Sequence, residues 1–190
     1  MQIRNLGPPK KFLGISVMYG RSRMLLSQKE YISESCEKFK IGDQRSNTPM
    51  EKDLRLERPK EFDVNLPLQE ILGTLMYACI GTRPDATYAV NFLSRFQSTP
   101  TKELIKYSKR VLAYLLKTKD RGIWYKKSEK DHNKLIALCD ASFASDIVDR
   151  KSTTGLVLKF GENTFQWRTL KQKCVMKSTT EAEYMGFICG

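Results

Sequence analysis

The sequence predicts an α+β fold, in which a β-hairpin and several helices precede a β-rich stretch that ends in a helix. Three observations predict this class. Short apolar, β-rich runs lie near both ends of the chain, apolar residues recur at helical spacing between them, and Gly or Pro separates the runs. With 190 residues, 41% of them hydrophobic, the chain is long enough for one large or two small cores.

The first predicted elements are a β-hairpin and a helix. Residues 12–26 hold two apolar, β-rich runs around a turn that begins with glycine. Ser27 and Glu30 then have the spacing of a capping box, in which the serine caps the helix and the glutamate reaches back. Gly42 is the expected end of this helix. Residues 45–67 contain three prolines and many charges, which predicts a connecting loop.

Two further helices are predicted in the middle of the chain. Residues 68–80 are apolar almost all round, which is typical of a buried helix. The stretch 81–85 contains a glycine and a proline and predicts an interruption, because proline disfavours helix in the residue before it. A second helix is expected over 86–96, with Pro84 near its first turn.

The next predicted helix carries many basic residues. Thr99 and Pro100 predict its cap and its first helical position. From Lys102 to Lys127, nine basic and two acidic residues give a net charge of +7, a large part of the +12 of the whole chain. Such a stripe indicates a polyanionic partner, nucleic acid before membrane, although a solvated helix face would show the same pattern. The basic residues of the helix are Lys102, Lys106, Lys109, Arg110 and Lys117.

The last third of the chain is predicted to be mainly β-structure. A short strand at 123–125 comes first, and the polar stretch 128–133 then predicts a domain boundary. Ser178 and Glu181 form a second capping box, which opens the last helix. Strands are predicted between these points over 135–139, 155–160 and 164–168, the last two joined by a tight turn at 161–163.

Cysteine and histidine usage limits the possible chemistry. The five cysteines lie apart without a CxxC pair, which is typical of reduced thiols in an intracellular protein. His132 is the only histidine, so no zinc site is expected. The N-terminal sequence lacks the apolar stretch of a signal peptide, and no apolar run is long enough to span a membrane. We therefore expect an intracellular protein, cytoplasmic or nuclear, without a membrane partner.

Two carboxylates are candidate metal ligands. Asp140 directly follows an apolar strand, so its side chain is expected at the end of that strand. Glu181 and Glu183 both lie in the first turn of the last helix, about 200° apart around its axis, so they cannot face one site. The cap accounts for Glu181, which leaves Glu183 free to point toward the sheet and Asp140. Such a pair suits magnesium-assisted phosphodiester hydrolysis, although acidic surface residues near strand and helix ends are common.

An ordered series of motifs runs through the chain. They are FLGI at 12–15, LSQKEY at 26–31, TPM at 48–50, GTLMY at 73–77, TRPD at 82–85, DRKSTTG at 149–155 and STTEAEY at 178–184. By these motifs the chain resembles, over essentially its whole length, the Pol polyprotein of Ty1/copia-type LTR retrotransposons. The resemblance implies the end of a reverse transcriptase, with thumb- and connection-like helices, over 1–127. It implies the first part of an RNase H-like mixed sheet, with the start of its first helix, over 128–190.

The resemblance also implies roles for particular residues. Phe12, Leu13 and Gly14 match the hairpin that grips the primer terminus in reverse transcriptases, where glycine permits close approach to the nucleic acid. The core of an ordinary hairpin would suit Phe12 equally well. The basic helix would neutralise phosphates of a duplex or RNA–DNA hybrid without reading its sequence. Arg83 and Asp85 are interpreted as residues that fix a helix corner and do not contact substrate.

For the C-terminal part, the resemblance implies an RNase H site that holds two magnesium ions. Asp140 corresponds to its first carboxylate and Glu183 to its second, and the intact polyprotein would cleave the RNA of RNA–DNA hybrids. The family usually has the motif D-[AS]-D-W-A-G where this chain has DASFAS. Ser142 therefore replaces the second aspartate of that motif, whereas Asp140 keeps the first. The other carboxylates of both active sites would lie outside this sequence, in the rest of the polyprotein. The chain alone is therefore expected to be inactive, with a decayed or repurposed nucleic-acid-binding fragment as the alternative.

Two further expectations concern residues 129–190. Asp146 and Asp149 lie near Asp140 in the sequence and are interpreted as loop residues. Three strands and one helix leave sheet edges unpaired and one sheet face uncovered, so this stretch is expected to be marginally stable alone and prone to aggregate.

Overall fold

A run of strands precedes a run of helices, and a second run of strands precedes the last helix. This segregated order is typical of an α+β protein and confirms the predicted class. The computed structural model describes residues 7–52, 54–127, 134–146 and 149–189. The strands are β1 (Lys11–Phe12), β2 (Ile15–Tyr19), β3 (Arg23–Ser27), β4 (Ile123–Lys126), β5 (Leu135–Ser142), β6 (Thr153–Phe160) and β7 (Asn163–Lys171). The α-helices are α1 (Lys29–Lys38), α2 (Leu68–Gly81), α3 (Thr87–Ser94), α4 (Lys102–Lys117) and α5 (Thr179–Cys189), with a 3₁₀ turn at Pro84–Ala86.

The first sheet is antiparallel, with the strand order β1-β2-β3-β4. The predicted hairpin corresponds to β2 and β3, but its first apolar run is broken at Leu13 and Gly14, which separate β1 from β2. Strand β4 returns after the helices to pair with β3, placing Ile123 opposite Leu26. Gly122 makes this return possible, because a Cβ there would lie 2.2 Å from the Leu26 carbonyl oxygen. A strand that joins the sheet so late in the sequence closes the helical region back onto the hairpin.

The main core lies among α1, α2, α3 and α4. Its buried apolar residues all fall between Ile32 and Leu115. Each large aliphatic side chain buried there contributes about 2 kcal/mol to stability. The helix predicted over 68–80 is confirmed, but it buries one face and not its whole circumference, because Ile80 stays 70% exposed. Residues 45–67 form no helix or strand in their described part, as predicted.

The first helix begins and ends differently from the predictions. The Ser27–Glu30 capping box is wrong, because the Glu30 carboxylate accepts a hydrogen bond from the Ser16 hydroxyl on β2 at 2.6 Å. The helix ends before Gly42, in a Schellman motif: Lys40 has a left-handed backbone at φ 53°, and the Ile41 N–H donates to the Cys36 carbonyl at 2.9 Å. Burial of Ile41 and Cys36 supplies the hydrophobic contact that accompanies such an end.

The cap of α4 is also displaced from the predicted position. The structure places Thr101, not Thr99, at the cap, where its hydroxyl accepts the Leu104 N–H at 3.2 Å. Pro100 therefore precedes the helix, and its carbonyl accepts the Asp63 N–H at 2.9 Å. The later start places Glu103 in the first turn, where an acidic side chain favours the helix dipole.

The second sheet has the order β5-β6-β7, and its strands are antiparallel throughout. The predicted mixed sheet is therefore wrong for the described residues. A parallel pair needs a crossover connection, and no strand follows α5 in the part of the chain that the structure describes. The tight turn between β6 and β7 is confirmed, with Gly161 at φ 57°. Helix α5 packs against β5 and β6.

The two sheets belong to two lobes that contact each other. We call residues 7–127 the N-terminal lobe and residues 134–189 the C-terminal lobe; the predicted boundary at 128–133 lies outside the described residues, and the division into domains stays a prediction. The Trp167 indole N–H donates to the Cys79 carbonyl at 2.8 Å. Cys79 lies in the last turn of α2, where carbonyls lack intrahelical partners. The C-terminal lobe therefore supplies a hydrogen-bond donor to the C-terminal end of a helix in the N-terminal lobe.

Further hydrogen bonds hold β7 and its turn against the N-terminal lobe. The Asn91 side chain donates to the Thr169 carbonyl at 2.8 Å. The Asn163 side-chain amide makes two bonds with the backbone of Lys126 on β4, at 2.7 and 3.0 Å. None of the helices in the described ranges is long and apolar enough to cross a membrane.

Candidate functional site

The turn that the family resemblance assigns to primer contact is a tight and exposed corner. Phe12 pairs with Ile15, so Leu13 and Gly14 are the two loop residues. Both have left-handed backbones, at φ 47° and φ 75°, as in a type I′ turn. Leu13 is 73% exposed and Phe12 is 64% exposed. The alternative that Phe12 belongs to a hairpin core is therefore wrong.

Tyrosines from the helices support this turn from below. The Tyr77 hydroxyl of α2 donates a short hydrogen bond to the Leu13 carbonyl. Tyr31 of α1 packs edge-on against Tyr77 with ring centroids 4.8 Å apart, and its own hydroxyl donates to the Thr74 carbonyl at 3.2 Å. The LSQKEY and GTLMY motifs thus meet beneath the FLGI turn. The sequence contained these three motifs but gave no sign that they meet.

The predicted phosphate-binding residues of α4 fall into two groups. Lys102 and Lys106 are exposed, and neither they nor Lys109 forms an ion pair with any described residue. Arg110 and Lys117 instead hold the preceding loop. Arg110 pairs with Glu51 at 3.1 Å and donates to the Thr48 hydroxyl at 3.2 Å, and the Lys117 ammonium donates to the Asn47 side chain. The basic face is therefore open near the N-terminus of α4 and covered near its C-terminus.

The corner made by the TRPD motif is structural, as predicted. Arg83 is 1% exposed, and its guanidinium forms a two-bonded pair with the Asp85 carboxylate at 3.0 and 2.8 Å. The same guanidinium donates to the Leu115 and Thr118 carbonyls at 3.5 and 3.2 Å. These carbonyls belong to the C-terminal end of α4, where intrahelical donors are absent. Arg83 thus caps one helix while fixing the turn between two others.

Burial and hydrogen bonding set the protonation of the groups around this corner. Burial raises the pKa of Asp85, but hydrogen bonds from Arg83 and Tyr114 outweigh it and hold the pKa below its usual range. Burial raises the pKa of the Cys79 thiol to about 12 and that of Cys36 to about 11. Both thiols therefore stay protonated at neutral pH and do not serve as nucleophiles.

Asp140 lies on an open stretch of β5. Its backbone pairs with Gly155, and its side chain is exposed. Asp140 also lines a cavity of about 260 Å³ between the lobes, together with Pro84 of the N-terminal lobe and Trp167. The carboxylate thus belongs to the sheet face that is turned toward the N-terminal lobe.

Glu183 approaches the same strand from the other face. The α5 cap is confirmed, because the Glu181 N–H donates to the Ser178 hydroxyl at 3.1 Å and the Glu181 carboxylate accepts the Lys177 N–H at 2.7 Å. A Cβ on Gly186 would lie 3.3 Å from the Cys139 sulfur, so α5 packs on the face that carries Cys139. Side chains alternate between the faces of a strand, so Asp140 projects from the opposite face. Glu183 itself is exposed.

Cys139 precedes Asp140 on β5 and lies on the face that packs against α5. Its pKa is raised by burial and further by the negative charges of Glu183 and Asp140. β5 is an edge strand of the second sheet. Among the described residues, no group of three or more His, Cys, Asp or Glu side chains is placed to hold a metal ion. The magnesium pair stays a prediction.

Asp146, which the sequence analysis treats as a loop residue, joins the two lobes. Its carboxylate is only 11% exposed, and one oxygen lies 2.9 Å from the Arg95 guanidinium and 2.5 Å from the Lys171 ammonium. Arg95 follows α3, whereas Lys171 ends β7. Arg95 also donates to the Thr153 hydroxyl at 3.4 Å. The loop interpretation missed this role because Arg95 is 51 residues away and no local pattern connects the two.

Comparison with known proteins gives two negative and several positive results. No protein-family model matches the chain, and no solved structure matches it significantly. It is 34% identical over 194 aligned residues to the "Retrovirus-related Pol polyprotein from transposon TNT 1-94" of Nicotiana tabacum, over 96% of this chain and 14% of that protein. It is 37% identical over 176 residues to the "Retrovirus-related Pol polyprotein from transposon RE1" of Arabidopsis thaliana, over 91% of this chain and 12% of that protein.

The chain covers a larger share of a third relative. The chain is 32% identical over 190 residues to the "Uncharacterized mitochondrial protein AtMg00810" of Arabidopsis thaliana, a match that covers 96% of this chain and 75% of that protein. Such near end-to-end similarity, across both lobes, places the chain in the class of retrovirus-related Pol polyprotein segments. It belongs to the Pol polyprotein family of Ty1/copia-type retrotransposons. The chain spans about one seventh or less of the first two relatives.

Proposed function

We propose that this chain is the part of a copia-type Pol polyprotein that holds a nucleic-acid duplex and carries two carboxylates of an RNase H site. In the intact polyprotein it would support reverse transcription and magnesium-dependent cleavage of RNA in RNA–DNA hybrids. The observation that carries the proposal is the exposed turn at Leu13. A leucine in the left-handed conformation costs about 1–2 kcal/mol, and here its side chain has no burial to offset that cost.

The support beneath the turn favours a contact role. Tyr77 and Tyr31 hold the turn from the helices, so its apolar tip is presented on a fixed base. A small apolar corner of this kind can press against the sugar–phosphate backbone, since Gly14 allows close approach.

The open part of α4 supplies the charge for the same role. Lys102, Lys106 and Lys109 would neutralise phosphates by displacing counterions, a sequence-independent contribution to affinity. Arg110 and Lys117, which hold segment 47–51, would contribute less, because binding there must first break their contacts with Glu51 and Asn47.

The proposed metal ligands are Asp140 and Glu183. They approach β5 from opposite faces, but β5 is an edge strand, so two carboxylates can meet around its open edge. Carboxylate oxygens are the ligands that Mg²⁺ prefers, and a bound ion of this kind activates water and holds the charge of the leaving oxygen. The remaining ligands would come from the rest of the polyprotein.

The binding role is tested with Leu13→Gly. Glycine relieves the left-handed strain, so the free energy of unfolding should rise or stay unchanged, while affinity for an RNA–DNA hybrid should fall several-fold. Fluorescence anisotropy and urea titration measure the two quantities. A variant that binds as tightly as the native chain would contradict the proposed contact.

The role of α4 is tested by salt dependence. Lys102→Ala and Lys106→Ala should each lower the slope of log K against log salt by about 1. Lys117→Ala removes the same charge from the same helix but at an occupied position, and is the matched control with a smaller expected change. A flat salt response of the native chain would rule out the phosphate contacts.

The metal role is tested in two lengths of protein. This chain alone should leave a labelled RNA–DNA hybrid intact in magnesium. A longer polyprotein segment should cut it, and Asp140→Asn and Glu183→Gln should each abolish the cutting without loss of hybrid binding. Cleavage that survives both substitutions would show that these carboxylates are not ligands.

A non-catalytic nucleic-acid-binding fragment is the second candidate function. Two observations favour it. Ser142 stands where family members usually have the second aspartate of the D-[AS]-D motif, and the described residues contain no cluster of three metal-ligating side chains. It predicts hybrid binding by this chain together with inactivity of the longer segment.

A further inference from the structure

One face of the first sheet carries a row of apolar side chains across three strands. Met18 of β2 lies directly opposite Leu25 of β3, which lies directly opposite Trp124 of β4. Leu25, in the middle of the row, is buried, whereas Met18 is 51% exposed and Trp124 is 45% exposed. Met18 and Trp124 therefore remain accessible to solvent on either side of the buried Leu25.

Two cations lie beside the indole ring on the same sheet face. Arg23 and Lys126 pair directly across β3 and β4, one row beyond Trp124. The Arg23 guanidinium lies 4.6 Å from the centroid of the Trp124 ring, in cation–π contact. Neither Arg23 nor Lys126 forms an ion pair with another described residue. The patch thus combines an exposed aromatic ring with two cationic groups that are not neutralised by ion pairs.

This combination matches the chemistry of unpaired nucleotides. An exposed aromatic ring stacks on the flat face of a base, and cations beside the ring bind the adjacent phosphates. A base inside a duplex already stacks on both faces, so it does not offer a free face to the indole. A charge of +12 for the whole chain also favours an anionic strand over a neutral apolar partner.

We propose that Trp124, with Arg23 and Lys126, forms a stacking platform for unpaired bases of a single-stranded nucleic acid. We call this surface the Trp124 platform. The inference rests on the proposed function, because a Pol segment that holds a duplex also meets the single strand that continues from it. The platform adds a second contact of a different kind, which reads neither sequence nor duplex shape.

The experiment uses the full chain, a short oligothymidine, and an abasic oligomer of equal length and charge. Oligothymidine should quench tryptophan fluorescence, whereas the abasic oligomer should bind without quenching. The chain has two tryptophans, and Trp167 is half-buried, so loss of the quenching in Trp124→Leu is needed to assign it to Trp124. Equal quenching by both oligomers, or none by either, would overturn the platform.

Matched substitutions separate stacking from folding. Trp124→Leu keeps an apolar cover beside Leu25 but removes the aromatic face, and should weaken oligothymidine binding by about tenfold while leaving abasic binding unchanged. Trp124→Phe keeps a smaller ring and should retain most of the affinity. Circular dichroism of both variants checks the fold. Unchanged oligothymidine affinity in Trp124→Leu contradicts the proposal.

Affinity for an RNA–DNA hybrid distinguishes the proposed duplex-binding function from the Trp124 platform. Trp124→Leu should leave RNA–DNA hybrid affinity within about twofold of the native value, a difference of about 0.4 kcal/mol. If the native chain does not bind the hybrid, the proposed duplex-binding function is wrong, whatever the oligothymidine result. Normal hybrid binding without base-dependent quenching would remove only the platform.

Discussion

The two lobes are stabilised in different ways. In the N-terminal lobe, one cluster of buried apolar residues runs from Ile32 to Leu115 and joins four helices. In the described part of the C-terminal lobe, the buried apolar residues are Leu156, Met176 and Ala182, whereas the buried polar ones are Asp146, Ser152, Thr153, Thr154 and Gln172. The first lobe therefore depends on non-directional apolar burial, and the second on hydrogen bonds and ion pairs with fixed geometry.

The difference teaches where the C-terminal lobe obtains its support. Asp146 pairs with Arg95 of the N-terminal lobe, and Trp167 donates to Cys79 of the same lobe. A small sheet with few buried apolar side chains gains from a neighbour that satisfies its polar groups. The expectation that residues 129–190 are marginal on their own stays a prediction, and this contrast gives it a physical reason.

The largest expected effect is at the corner of the N-terminal lobe. Arg83→Met should lower the free energy of unfolding by about 3 kcal/mol, because it leaves the Asp85 carboxylate and the end of α4 without their donor. Urea denaturation measures it. Arg121→Met is the control, since that guanidinium is 63% exposed and 3.8 Å from Asp85, and should cost under about 0.5 kcal/mol. Equal losses of unfolding free energy in the two variants would show that the stability of the corner does not depend on the buried hydrogen bonds of Arg83.

The next largest effect is expected on the stability of the C-terminal lobe, and it should distinguish that lobe from the N-terminal lobe. Asp146→Asn leaves Arg95 and Lys171 without their shared charge and should destabilise the C-terminal lobe by about 2 kcal/mol, less than a fully buried pair would lose. Amide hydrogen exchange should speed up across β5, β6 and β7 but not across α2 and α4. Asp149→Asn, at a more exposed carboxylate, is the milder control. Uniform acceleration in both lobes would mean that they unfold as one unit.

A smaller effect is expected from the lobe contact on α2. Trp167→Phe keeps an aromatic ring but removes the N–H that donates to Cys79, which should cost about 1 kcal/mol. The loss should be measured by thermal unfolding and should be largely absent when Asp146→Asn has already loosened the lobes. Full additivity of the two substitutions would contradict a shared interface.

The smallest effect concerns pH. The Asp85 pKa in the folded chain lies below its unfolded value of about 3.9. Its contribution is therefore complete above about pH 4 and is lost as the pH falls through the folded pKa. Urea midpoints should drop less steeply below about pH 4 in Asp85→Asn than in the native chain. Identical acid profiles would show that this carboxylate is not a source of acid sensitivity.

Two capping boxes with the same spacing show what limits prediction from sequence. Ser178 and Glu181 form their cap, in which the glutamate carboxylate accepts the neighbouring Lys177 N–H. Ser27 and Glu30 have the same pattern, but Glu30 bonds to Ser16 on the neighbouring strand β2. Local spacing therefore predicts a cap correctly only where tertiary structure brings no other partner within reach.

The sequence by itself determined the order and type of most elements, and its motifs determined the family. Periodicity and turn residues act over a few positions, so they need no knowledge of the fold. The N-terminal core was partly predictable for the same reason, because residues 68–80 are apolar almost all round and indicate a buried helix. Only the structure shows which face of that helix is buried, since Ile80 stays exposed.

Only the tertiary structure decided which residues meet across the molecule. It placed Tyr77 beneath Leu13, paired Arg110 with Glu51, and paired Asp146 with Arg95, which follows α3. These contacts depend on how helices and sheets pack, and packing brings together residues whose separation along the chain carries no local signal. The Trp124 platform has the same origin, since β4 pairs with β3 although the whole helical region separates them in the sequence.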